Sequence, residues 1–307
     1  NNASLQALYF WTHEAPPISG QYAANNYATY TVMGGAAAAA GGAEPDGIIN
    51  VGQGFVAKTN QSVLIQFTND LRLNYSDTQF FRQANTDRHR FWLNLSDEQA
   101  DYNQILVGYK EGASYGFDHK TDGRFFGHNG SAVYSLIEQD KYTIQGRWPF
   151  VETDVVPLGF RAIASGSYNI SLEKTDGMFA DGQIIFVEDM QLNIIHNLTE
   201  DGAYHFVSEA GTFDSRFNIV YQNSTLSAGN PNMTGMDWIA YQDADQIFVK
   251  SVGFDIENIE IYDLTGRLLI QEQDINAQSF SVPALFADQV LIVKVNKTMI
   301  KKINYNN

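Results

Sequence analysis

The chain has 307 residues, enough for two domains of ordinary size that each bury a core of their own. It is 44% hydrophobic, 13% aromatic and 18% charged, the balance of a folded chain and not of a disordered one. Its 19 basic and 35 acidic residues leave a net charge of −16, which repels a polyphosphate backbone and argues against nucleic acid as a partner. Cysteine is absent, which excludes disulfides, thiolate catalysis, iron–sulfur clusters and Cys-ligated zinc. No apolar run reaches the roughly 20 residues of a membrane-spanning helix, and no basic segment followed by an apolar one opens the chain. Asn1 in place of Met reads as the start of a mature or trimmed product, or of the C-terminal part of a longer chain.

Helical periodicity is nearly missing. Short strands followed by turn signals recur instead, which predicts an all-β chain. In chain order, Gly34 to Gly42 encloses five alanines, too few for a stable helix, and is expected to be a flexible surface loop. Gly52-Gln53-Gly54 reads as a bend into a strand at Phe55-Val56-Ala57, and Ser62 to Phe67 and Arg90 to Leu95 as further strands. In Gly166 to Leu172, Tyr168, Ile170 and Leu172 share one face and Ser167, Asn169 and Ser171 the other, the alternation of an antiparallel sandwich sheet. Asp46-Gly47, Asp122-Gly123, Asp176-Gly177 and Asp181-Gly182 fit hairpin turns. Ser227 to Asn232 combines Gly, Pro and Asn without apolar pattern and is the best linker signature, which divides the chain into residues 1–226 and 227–307. The expected fold is a large antiparallel β-sandwich region followed by a small immunoglobulin-like sandwich.

No motif for an enzyme stands out. The six histidines have no metal-ligand spacing, Ser131 and Ser167 lack a nucleophile elbow, and no glycine-rich phosphate loop occurs. Asp118-His119-Lys120-Thr121-Asp122-Gly123 has part of a calcium-loop pattern, but Lys120 occupies a ligand position and no Glu closes it, so it reads as a turn. No cofactor and no metal is expected. Aromatic residues are the better lead, because a ring can stack on a sugar. Trp92, inside a strand, reads as core, and Trp148, between Arg147 and Pro149, as an exposed aromatic and a candidate glycan contact.

The most specific pattern lies at the end: Gln246 to Lys250, then Ile256 to Leu269 with its Asp263-Leu264-Thr265-Gly266-Arg267 turn, Gln289 to Val295 and Ile300 to Ile303. Alternation of Ile259 and Ile261 with Glu260 marks a strand, Asp263 to Gly266 a tight turn, and Val290 to Val295 a strand buried on both faces. This stretch resembles the C-terminal sorting domain of cargo proteins of the Bacteroidota type IX secretion system. It departs from that pattern where Asp288-Gln289-Val290 replaces the usual glycine-tyrosine pair, as in large flavobacterial surface proteins. Stretches such as Tyr9 to His13, Gln79 to Arg82, Phe91 to Leu95 and Val156 to Phe160 resemble the region that precedes such domains in long flavobacterial adhesin-like proteins. The resemblance implies a seven-stranded sandwich at the C-terminus. It also implies an exported cell-surface or secreted protein, with an outer-membrane shuttle barrel, the translocon and a cell-surface sortase as partners.

Residues 1–226 are then adhesive or structural, and the chain is not an enzyme. The recognition residues would be Asp263, Gly266 and Arg267 in the turn and Lys294, Lys301 and Lys302 at a basic tip without Asp or Glu. For each there is a plain alternative: turn geometry for the first group, protection of an edge strand for the second. The competing reading is a carbohydrate-binding or glycoside-hydrolysing module on the large sandwich. For hydrolysis it requires two facing carboxylates about 5 to 10 Å apart.

Overall fold

The computed structural model describes residues 5–16, 24–59, 62, 64–72, 88–97, 102–127, 129–192, 194–222, 237–243, 246–283, 286–287 and 289–305. Among these residues the protein is all-β, with four sheets. The first strands are β1 (Leu5–Trp11), β2 (Tyr27–Thr31), β3 (Gly34–Ala36) and β4 (Phe55–Thr59), antiparallel in the order β3-β2-β1-β4. Next come β5 (Arg88–Asp97), β6 (Tyr102–Lys110), β7 (Gly123–Arg124), β8 (Ala132–Ile137), β9 (Asp140–Arg147), β10 (Val155–Ala162), β11 (Gly166–Asp176), β12 (Phe186–Asp189), β13 (Ile194–Asn197), β14 (Tyr204–Ser208) and β15 (Gly211–Val220). They make one eleven-stranded sheet in the order β13-β12-β15-β10-β8-β9-β6-β5-β11-β14, with β7 on β9. All its pairings are antiparallel except β6 with β9.

The large sandwich is therefore not two separate sheets. A single sheet bends at β9, and its two arms face each other across the main core. Phe160 of β10 and Phe217 of β15 on one arm meet Tyr168 of β11 and Phe206 of β14 on the other, with ring centroids 4.8 to 5.1 Å apart. The arms are also joined by charge. The Arg216 guanidinium donates to Asp189 Oδ2 from Nε (3.1 Å) and Nη2 (2.8 Å) and to the Val207 carbonyl from Nη1 (3.1 Å), so β15, β12 and β14 are held at one buried point. Asp189 is further satisfied by the Tyr204 hydroxyl and by the N–H groups of Gln191 and Leu192. A second buried group, Arg147, Asp154, Tyr109 and Tyr221, links β6 and β9 to the end of β15.

The four-stranded sheet covers the other face of the same strands. Phe91, Leu93 and Val107 point into the main core, while Trp92, Leu106 and Ile144 pack against Met33 and Ala36. Strands buried on both faces read as continuous apolar runs, which accounts for Phe91-Trp92-Leu93 and Ile105-Leu106-Val107. The alanine segment expected as a surface loop is instead part of this contact. Ala36, Ala37 and Ala38 are buried, the Trp92 indole donates to the Gly35 carbonyl (2.8 Å), and the Ala37 N–H donates to Gln104 Oε1 (2.8 Å). Small side chains are needed because backbone meets backbone: a Cβ on Gly35 would overlap the Pro45 carbonyl.

Other expectations are also corrected. Ser62 and residues 64–67 form no strand; Leu64 and Phe67 are exposed, and an apolar alternation makes a strand only where a ladder of backbone hydrogen bonds holds it. Asp122-Gly123 is no hairpin turn, since Gly123 enters β7. The bend at Gly52 to Gly54 does lead into β4. The expected linker at 227–232 lies outside the described residues.

The C-terminal part has its own core. The strands β16 (Asp237–Asp243), β17 (Gln246–Val252), β18 (Ile256–Asp263), β19 (Leu268–Ala277), β20 (Ser279–Pro283), β21 (Gln289–Val295) and β22 (Met299–Tyr305) form two antiparallel sheets, β16-β17-β20 and β19-β18-β21-β22. Ile247 and Val249 of one sheet face Ile259, Ile261, Leu291, Val293 and Val295 of the other. Strand β21, expected to be buried on both faces, is fully buried on one only: Val290, Ile292 and Lys294 on its outer face are half-buried.

The buried charge clamp gives the first prediction. Asp189→Ala takes away the carboxylate that two guanidinium nitrogens hold and should cost about 3–5 kcal/mol, measured by urea unfolding. Arg216→Met should cost less, because Asp189 keeps one hydroxyl and two backbone donors. Equal losses would mean that the clamp is not asymmetric in this way.

Candidate functional site

Asp263 ends β18 and Leu268 begins β19, so the turn between them must reverse the chain in four residues. The Asp263 carboxylate organises it. Oδ1 accepts from the Thr265 N–H (2.9 Å), the Thr265 hydroxyl (2.5 Å) and the Arg267 N–H (3.0 Å), and Oδ2 accepts from Arg267 Nε (3.0 Å). Gly266, at φ 83°, supplies the left-handed residue and donates its N–H to the Asp263 carbonyl (3.0 Å). The Thr265 hydroxyl bond, then the Arg267 and Thr265 N–H bonds, hold the Asp263 carboxyl below the usual carboxylate range. The stability it lends is thus present above its ordinary value of 3.8 and fades as the pH falls through the folded one. Asp263 and Gly266 shape the turn, while Arg267 and Leu264 are the side chains it exposes.

The three lysines do not form one patch. Lys294 on β21 lies across from Glu260 on β18, with Nζ 3.1 Å from Glu260 Oε2, on the outer face of the sheet. Lys301 pairs with Val293, which points inward, and its Nζ donates to the Trp238 carbonyl (2.6 Å) while lying 5.4 Å from the Trp238 ring centroid. It ties β22 of one sheet to β16 of the other. Lys302 is on the opposite side of β22, across from Ile292, and is exposed. Strict alternation along a strand separates neighbouring residues by a whole sheet thickness, so the expected basic tip divides into a surface charge at Lys302, an ion pair at Lys294 and a structural contact at Lys301.

Trp148, expected to be exposed, is half-buried and packs against the main core beside the Arg147–Asp154 pair. Trp92 is buried, with the Arg90 guanidinium 4.9 Å and the Lys174 ammonium 4.2 Å from its ring centroid. Among the described residues no three His, Asp or Glu side chains gather as metal ligands would. His119 instead contacts Gln6 through Nδ1 (2.5 Å), and His128 lies outside the described residues.

The Asp118 to Gly123 segment is a polar knot. Ser114 donates to the Asp118 carboxylate, and Asp122 accepts from the N–H groups of Asp118 (2.7 Å) and Gly146 (2.7 Å). Burial pushes the Asp122 carboxyl up from 3.8 to about 7, against the pull of those two N–H groups. Over that range the folded protein holds a proton that the unfolded chain has lost, so stability from this group is greatest below about pH 4 and falls until about pH 7. Asp122→Asn, which cannot ionise, should remove that slope from urea midpoints measured between about pH 4 and 8. An unchanged slope would contradict the assignment.

A shallow cleft lies where the turn before β2, the start of β6, residues 125–127 and β9 meet, lined by Asn25, Tyr27, Asn103, Phe126 and Thr143 among others. Sequence reasoning missed it. Its residues come from five separate parts of the chain and share no local spacing, so no motif announces them.

The described residues make an all-β protein whose largest hydrophobic cluster lies in residues 91–221, with a separate one in residues 238–305. The chain belongs to the family described as Domain of unknown function (DUF8693), which matches residues 1–221. A second family, Domain of unknown function (DUF8694), matches residues 226–305. No curated protein and no solved structure matches the chain.

Proposed function

We propose that this is an exported cell-surface or secreted protein, non-enzymatic in this portion. In this reading residues 227–307 are the signal read by the type IX secretion translocon and its outer-membrane shuttle, before a cell-surface sortase removes or exchanges it. Residues 1–226 are then the cargo, adhesive or structural. The observation that carries the reading is the seven-stranded C-terminal sandwich, which among the described residues has a core separate from the main one and ends in an edge strand that exposes Lys302. A separable, compact module suits an address that is read and then removed. Its exposed Arg267 and Lys302 are side chains a partner can reach without unfolding it.

Two measurements test this. Deleting residues 227–307 should abolish export and leave residues 1–226 folded inside the cell, whereas a truncated protein that still reaches the surface would refute the sorting reading. The division among the lysines makes the second test sharper. Lys301→Glu should destabilise the sandwich by about 1–3 kcal/mol through loss of the Trp238 contact. Lys302→Glu should leave the melting temperature unchanged and reduce shuttle binding, because an exposed lysine contributes little to stability but can steer a partner. Unchanged shuttle binding by the Lys302→Glu protein would return recognition to Arg267 and the Asp263 turn.

A further inference from the structure

We propose that the outer face of β16 and β17 is a docking face that seats the C-terminal sandwich on β14 of the large region, so that the module is presented on its cargo with its other sheet turned outward. Two buried side chains that belong to neither core mark the contact. Along β16 the alternation puts Trp238 and Ala240 into the C-terminal core and Ile239 on the opposite face, yet Ile239 is 2% exposed. Along β14 Tyr204 and Phe206 enter the main core and Val207 faces away from it, yet Val207 is 1% exposed. An isoleucine and a valine on the outer faces of two different sheets are kept from water only where something covers each of them.

The backbone shows what covers them. Strand β14 ends the eleven-stranded sheet, β16 ends the three-stranded one, and β14 comes within 8 Å, Cα to Cα, of both β16 and β17. On the same face as Ile239 lie Lys250, directly across from it, and the rings of Tyr241 and Phe248, stacked at 5.5 Å; all three are half-buried. Aliphatic, aromatic and long-stemmed basic side chains together make a face that packs against another apolar surface. On β14 the cover is partial. Val207 is buried while His205, two residues back on the same face, is exposed, so the seat lies at the C-terminal end of the strand. There the Arg216 guanidinium already holds the Val207 carbonyl (3.1 Å), which gives the sandwich a fixed strand to rest on.

The outer faces of the two sheets of a sandwich look in opposite directions. With β16 and β17 against β14, the sheet β19-β18-β21-β22 remains outward, and it presents Leu264, Arg267 and Lys302 to solvent. The purpose of the seat rests on the sorting reading, whose reader it directs to that sheet; the contact itself does not depend on it.

Domains of one chain move against each other unless an apolar contact holds them, so a fixed distance between the two units is a demanding outcome. The chain has no cysteine, so Met190→Cys and Ile300→Cys, at exposed positions of the large region and the sandwich, take one spin label each. In the intact labelled chain double electron–electron resonance should give a single narrow distance. Ile239→Asp and Val207→Asp each put a carboxylate into the contact from one side and should broaden the distribution about twofold or more. Ile239 lies outside the C-terminal core, so its variant should keep the sandwich folded, which circular dichroism checks; Val207→Asp decides the matter from the other side if it does not. A broad distribution in the parent chain would overturn the proposal, and so would a narrow one that both folded variants keep. Export of the chain lacking residues 227–307 is read separately. Its persistence would end the sorting reading and leave the seat standing, whereas a broad parent distribution would end the seat and leave the address standing.

Discussion

Closure of the eleven-stranded sheet onto itself is the constraint that the rest of the large region obeys. Its inner face carries Phe91, Leu93, Val107, Phe160, Phe206 and Phe217, far more apolar surface than a sheet can leave in water. A second sheet could cover it, as in an ordinary sandwich. Here the sheet bends at β9 and covers itself, so the two arms must meet in register. Arg216 fixes that register, because a planar guanidinium reaches the Asp189 carboxylate and the Val207 carbonyl together only when β12, β15 and β14 are correctly placed.

Self-closure leaves the outer face of β5, β6 and β9 to be covered by something else, and the four-stranded sheet does this with small residues. Met33 to Ala38 brings backbone against side chains of the large sheet, and the large sheet answers with Trp92, Gln104 and Arg90 as hydrogen-bond donors or acceptors for that backbone. Arg90 is held in turn by Asp176 at the end of β11. The contact is therefore polar as well as apolar, which fixes its position.

The C-terminal sandwich shows the opposite economy. Seven short strands, alternating apolar side chains and one carboxylate-centred turn suffice for a separate core. Its carboxylates at Asp263 and Glu260 are held below the usual range by hydroxyl, N–H and lysine partners, whereas Asp122 in the large region is pushed above it by burial. Acid therefore weakens the small module through groups of one kind while it favours the large one at another.

How much of this was legible depends on the range of the forces involved. Legible from the residues alone were strands such as Gly166 to Leu172, by its period-two alternation, and Arg90 to Leu95, by its apolar run before a turn signal. Also legible were the turn at Asp263 to Gly266, whose carboxylate, threonine and glycine act within five residues, and the all-β class. These are local properties, set by which side chains share a face and which backbone angles a residue tolerates. It took the tertiary structure to show that Ala36 to Ala38 are buried, that residues 64–67 are not a strand, that Trp148 packs inward and that Lys301 and Lys302 serve different faces. Each of these depends on a partner distant in sequence: Trp92 and Gln104 for the alanines, the main core for Trp148, Trp238 for Lys301. The cleft was illegible for the same reason, since Asn25, Asn103 and Thr143 meet only after the sheet has closed and been covered.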